Sequence, residues 1–146
     1  MNKNNNIVMF SYAFPVIQAV CFSSSIAMSV LTIILRKMDC NNQFEISATD
    51  LDLLLCVKDA ATRTRGLNIL RLTNLVLVSI ENRKGIIKFS VNTNAYSHVE
   101  TSQRRVGLCF DEPLNFEAID NNGHVDKIKL AGFRARKNSN ASRGAV

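Results

Sequence analysis

Gln43 to Lys58, QFEISATDLDLLLCVK, is the stretch whose reading decides the fold. In its first half Phe44, Ile46 and Ala48 alternate with Glu45, Ser47 and Thr49, the period-two pattern of a half-buried strand. In its second half Leu51, Leu53, Leu55 and Val57 are apolar, and they occupy odd positions instead of even ones. One strand cannot bury both sets on one face unless it bends or bulges. The pattern therefore predicts one long strand that changes faces, or strands, at Ala48-Thr49-Asp50.

Upstream, Val30 to Leu35 is rich in β-branched residues and reads as a buried strand. Asp39-Cys40-Asn41-Asn42 reads as a turn, so 30–57 is expected to form a β-hairpin. Further upstream, Asn4 to Leu35 contains no charged side chain, and two main readings stay open, beside a weaker third in which Lys3 starts a signal peptide cleaved near Ser25-Ile26-Ala27. In the first, Ile7 to Tyr12 is a short strand. Ala13 to Phe22 is then a helix with Pro15 in its first turn, and Ser23-Ser24-Ser25 is a loop. In the second, the span near 7–35 is a single inner-membrane helix, with Arg36 and Lys37 as its cytoplasmic flank. The serine cluster and the β-branched residues favour the first.

Downstream, Asp59 to Gly66 reads as an exposed connection and Leu67 to Leu75 as a short second helix. Val76 to Ile80 and Ile86 to Val91 read as a hairpin closed by Glu81-Asn82-Arg83-Lys84-Gly85. Tyr96 to Thr101 and Val106 to Phe110 are weaker strand candidates. Leu114 to Ile119 and His124 to Leu130 flank an Asn122-Gly123 turn signal. The expected class is α+β: a hairpin-rich antiparallel sheet with one or two short helices. It forms one domain over 1–133, followed by a disordered basic tail over 134–146.

The 146 residues carry a net charge of +6, unevenly spread. Residues 61–110 hold eight basic and two acidic side chains, 111–133 hold two and five, and 134–146 hold four and none. A basic excess attracts phosphate backbones or anionic lipid without choosing between them. The four cysteines, Cys21, Cys40, Cys56 and Cys109, have no C-x-x-C spacing and read as buried thiols of a reducing compartment. His98 and His124 stand at no zinc-ligand spacing from them. Asp50 and Asp52, two apart in the expected strand, would share a face, but no third ligand is spaced to complete a metal site. The six glycines form no phosphate loop, and Ser23 to Ser25 lack a nucleophile-elbow setting. Neither a cofactor nor catalytic residues are expected.

Val16 to Val57 resembles the first domain of the bacterial sliding clamp, the β subunit of the replicative DNA polymerase. The family pattern is a helix, a loop, a strand, a turn and a strand ending in A-T-D-L-[DE]. Here it reads VIQAV, CFSSSIAMS, VLTIILRKMDCNN and QFEISATDLDLLL, with Ala48, Thr49, Asp50, Leu51 and Asp52 as its core. The resemblance implies a DNA-clamp-like domain, a non-catalytic processivity factor in the cytoplasm that tethers a polymerase to duplex DNA. Its implied partners are duplex DNA, other polymerase subunits, and further clamp domains or copies of itself. The chain has room for one clamp domain where the family joins three, so the implied protein is a fragment or a divergent relative. Arg63, Arg65 and Arg71, around the expected second helix, become the candidate phosphate contacts. The alternative is a small single-span membrane protein with a basic cytoplasmic domain.

Overall fold

The phase change at Ala48 is a change of secondary structure. In a computed structural model that describes residues 6–81, 83–99, 107 and 109–133, the strand stops at Ser47 and a helix begins. Ser47 caps that helix, its hydroxyl accepting a hydrogen bond from the Asp50 backbone N–H at 3.1 Å. Ser47-Ala48-Thr49-Asp50 before an apolar run is a capping signature, and the acidic Asp50 complements the helix N-terminus. The expected long strand is thus replaced by β2 (Gln43–Ser47) and α3 (Ala48–Leu55).

Before them come β1 (Ile7–Met9), α1 (Phe14–Ser23) and α2 (Ser25–Lys37). Pro15 lies in the first turn of α1, where its missing N–H costs nothing. Ser24 is extended, and its side chain accepts from the Ala27 N–H, so the serines end one helix and cap the next. Val30 to Leu35 is therefore helical, and the expected 30–57 hairpin does not form. Ala27, Val30, Leu31 and Ile34 recur at helical spacing and are fully buried, so packing overrides their strand preference. The break at Ser24 also divides the uncharged run. No helix among the described residues is long and apolar enough to cross a membrane.

After α3 come α4 (Ala60–Leu72), β3 (Val76–Glu81), β4 (Ile86–Val91) and β5 (Tyr96–His98). Asp59 to Gly66, expected as an exposed connection, is the N-cap and first half of α4. The β3–β4 hairpin is as expected, and Gly85 takes the left-handed φ of +64° that its turn requires. One sheet has the antiparallel order β2-β4-β3, and β1 pairs with β5 in a second. The expected strands at 114–119 and 124–130 are reduced to one bridge, Ile119 to Val125, between a helical turn at Phe116–Ala118 and a helix over 127–133. The α+β class holds, with more helix than the expected one or two elements. Residues 100–106 and the tail 134–146 lie outside the described residues.

The core lies between α2 and α4 on one side and the inner face of the sheet on the other. Leu31, Ile34, Leu67 and Leu70 meet Ile87, Phe89 and Val76 there. Gly66 allows the two helices to touch: a Cβ at that position would sit 2.8 Å from Ile26 Cγ2 and 3.2 Å from the Ala27 nitrogen. Asparagine amides close the joints. Buried Asn42 donates to the Val91 and Tyr96 carbonyls, and Asn92 donates to the Asn74 and Glu112 carbonyls.

Candidate nucleic-acid interface

Four residues, Cys56 to Asp59, connect α3 to α4. The turn begins with Cys56 in the left-handed conformation at φ +56°, where its N–H bonds back to the end of α3. It ends with Asp59, whose carboxylate accepts from the Thr62 N–H at 2.9 Å and the Thr62 hydroxyl at 2.7 Å. Those bonds, the hydroxyl's first, hold the Asp59 carboxyl below its ordinary value, with a smaller push from Arg65. A turn of three or four residues between two helices is the connection length of a helix-turn-helix motif.

Only one end of α4 is open. Ala60, Ala61, Thr64 and Arg65 are exposed, while Gly66 to Leu70 are all buried. The β3–β4 hairpin follows directly and presents exposed Arg83 and Lys84 at its turn. Lys84 makes only a long, exposed ion pair of 3.9 Å with Glu81, so its charge stays available. The Ala48 N–H donates to the Gly85 carbonyl at 2.8 Å, which fixes the hairpin turn to the start of α3. Arg71 Nη2 donates to the Val78 carbonyl at 3.3 Å and ties the end of α4 to β3. Helix pair and hairpin are therefore held as one unit.

The three expected arginines all lie on α4, in different settings. Arg63 is mostly buried and pairs with Asp52 of α3 at 2.6 Å. Arg71 is half-buried, and burial lowers its pKa below the ordinary arginine value. Arg65 is exposed, and its side chain donates to the Thr62 hydroxyl at 3.3 Å. Of the motif residues, Ala48, Thr49 and Asp50 make the first turn of α3, Leu51 is buried and Asp52 faces Arg63. Asp50 and Asp52 do not share a face as the strand reading expected, because two residues along a helix is more than half a turn. No group of three metal-ligating side chains occurs among the described residues. The cysteines are not buried: Cys21 and Cys56 are exposed, and Cys40 and Cys109 are half-buried.

Arg83 and Lys84 were legible only as turn residues, and Thr64 not at all. The available signal was the pair of caps, Ser47 and Asp59, each followed three residues later by its bonded partner. Comparison with family models, with curated proteins and with solved structures returns no match for this chain.

Proposed function

We propose that this chain binds duplex DNA through the α3–α4 unit, with the first turn of α4 in the major groove and the β3–β4 turn along a phosphate backbone. The observation that carries the reading is the opening of α4 at its N-terminal end alone, directly after a four-residue turn. In helix-turn-helix proteins the N-terminal residues of the second helix contact base edges. Arg65 is the donor suited to a guanine edge, and the Thr64 and Ala61 methyl groups suit thymine. Arg83 and Lys84 supply contacts to phosphate, which position without reading sequence. Arg63 and Arg71 serve the protein's own framework, so the expected trio contributes one DNA contact, Arg65.

The test is fluorescence anisotropy of labelled duplexes, titrated with the protein at several salt concentrations. Non-specific binding in the range of about 10⁻⁴ to 10⁻⁶ M, weakening steeply with salt, is expected. Arg83→Ala and Lys84→Ala should each flatten the salt slope by about one. Arg65→Ala should cost about 1–3 kcal/mol on a preferred sequence. Absence of salt-dependent binding to any duplex would refute the reading. Retention on circular DNA with release on linearisation would instead favour the ring-type tether that the sliding-clamp resemblance implies.

A further inference from the structure

The α3 helix exposes two leucines that the fold does not use. Leu53 is 71% exposed and Leu54 50%, although α3 is only eight residues long. They do not stand alone. With Phe44 and Ile46 of β2 and Ile86 of β4 they line an open cleft of about 670 Å³. Five apolar side chains around one cleft form a contiguous strip, whereas single exposed leucines are ordinary surface.

The rim of the cleft indicates which partner fits. Lys37, at the end of α2, and Asp50, in the first turn of α3, both border it. Both are exposed, and neither has an ion-pair partner among the described residues. Glu45, the third charge on the rim, already faces Lys88 at 3.5 Å. The cleft therefore offers one unpaired cation and one unpaired anion beside an apolar strip. A uniformly acidic or basic partner satisfies only one of them. A second copy of the same surface, turned by a two-fold axis, satisfies both, because an isologous interface brings residue i against j and j against i.

We infer that this cleft is where a second copy of the chain docks, with the α3 leucines packed across a two-fold axis and Lys37 of each copy against Asp50 of the other. The inference is independent of the DNA reading, since the pairing needs no nucleic acid.

Sedimentation equilibrium of the full chain without DNA tests it. The expected result is a mass that rises with concentration towards twice the monomer. Leu53→Asp should weaken association at least about tenfold, as loss of a central anchor does, while circular dichroism, and melting at concentrations where the unmodified chain is monomeric, stay unchanged at this exposed site. Lys37→Glu and Asp50→Lys should each weaken self-association, because each places like charges together twice. Mixing the two variants should restore the dimer, because both contacts then pair opposite charges. A chain that is monomeric at every concentration overturns the inference. So does a dimer that Leu53→Asp leaves intact, or a mixture that associates no better than its components.

Discussion

Arg63 Nη1 of α4 stands 2.6 Å from Asp52 Oδ2 of α3, and this is the only ion pair among the described residues that joins the two helices. The contact is single-pronged. Arg63 Nε and Asp52 Oδ1 are buried and find no other partner. Asp52→Ala would leave a mostly buried guanidinium unpaired. A double-mutant cycle of Asp52→Ala with Arg63→Met should give a coupling of about 1–2 kcal/mol, between the values for exposed and for buried pairs. A coupling indistinguishable from zero in denaturant melts would mean that the pair is incidental to the joining of α3 and α4.

Cys56 occupies a left-handed conformation at the first position of the turn, which costs a side chain with a Cβ about 1–2 kcal/mol. Cys56→Gly removes that strain and adds flexibility to the unfolded chain, two effects of opposite sign. Because the residue is exposed, no packing is lost. The net expectation is a gain of about 0.5 kcal/mol, and a lower melting temperature would contradict it.

Gly66 behaves in the opposite sense. Glycine inside a helix is normally improved by alanine, by about 1 kcal/mol. Here the added methyl group would press on Ile26 and on the Ala27 backbone, and overpacking of that kind costs about 1–3 kcal/mol. Gly66→Ala should lower stability or at best leave it unchanged. A clear rise would show that α2 and α4 can separate freely.

Two titrations give stability a slope at opposite ends of the pH scale. The Asp59 carboxyl is held below its ordinary value of 3.8, so the native state favours its ionised form. That contribution is complete above the ordinary value and is lost as pH falls through the lower native one. Burial pushes the Tyr96 hydroxyl up from 10.0 to about 12. The native state therefore resists its ionisation, and stability should fall as pH rises from about 10 towards 12. Asp59→Asn, which keeps the cap acceptor, should reduce the acid slope, which Asp120 shares because the His124 and Asn122 backbone N–H groups hold its carboxyl below the ordinary value, and Tyr96→Phe should remove the alkaline slope. Melting curves across both ranges decide, and an unchanged slope in either variant would assign the titration to another group.

Where a signal was local, the sequence could be read. Pro15, the serine break and the Gly85 turn each act within a few residues, and the helix α1 and the β3–β4 hairpin that they delimit are present. The errors arose where tertiary packing outweighs local preference. Val30, Thr32, Ile33 and Ile34 look like a strand, but half of them complete a helical stripe against α4. Thr32 accommodates the helix by donating its hydroxyl to the Met28 carbonyl at 2.9 Å. The leucines after Asp50 mimic strand alternation only because α3 leaves Leu53 and Leu54 exposed. At the candidate site, the arginines of α4 could be found in the sequence, but their division of labour could not. That division depends on Asp52, eleven residues away, and on the Val78 carbonyl.

The pairing of β1 with β5 has a consequence for biosynthesis. Ile7 is opposite His98, so β1 has no partner until about ninety further residues have been made. At ordinary rates of translation that interval is roughly 5–20 s, far longer than a helix or a hairpin takes to form. Residues 7–9 thus pair long after they are made. Val8, Met9 and Phe10 stay exposed even after pairing, so what waits for β5 is the backbone edge of β1.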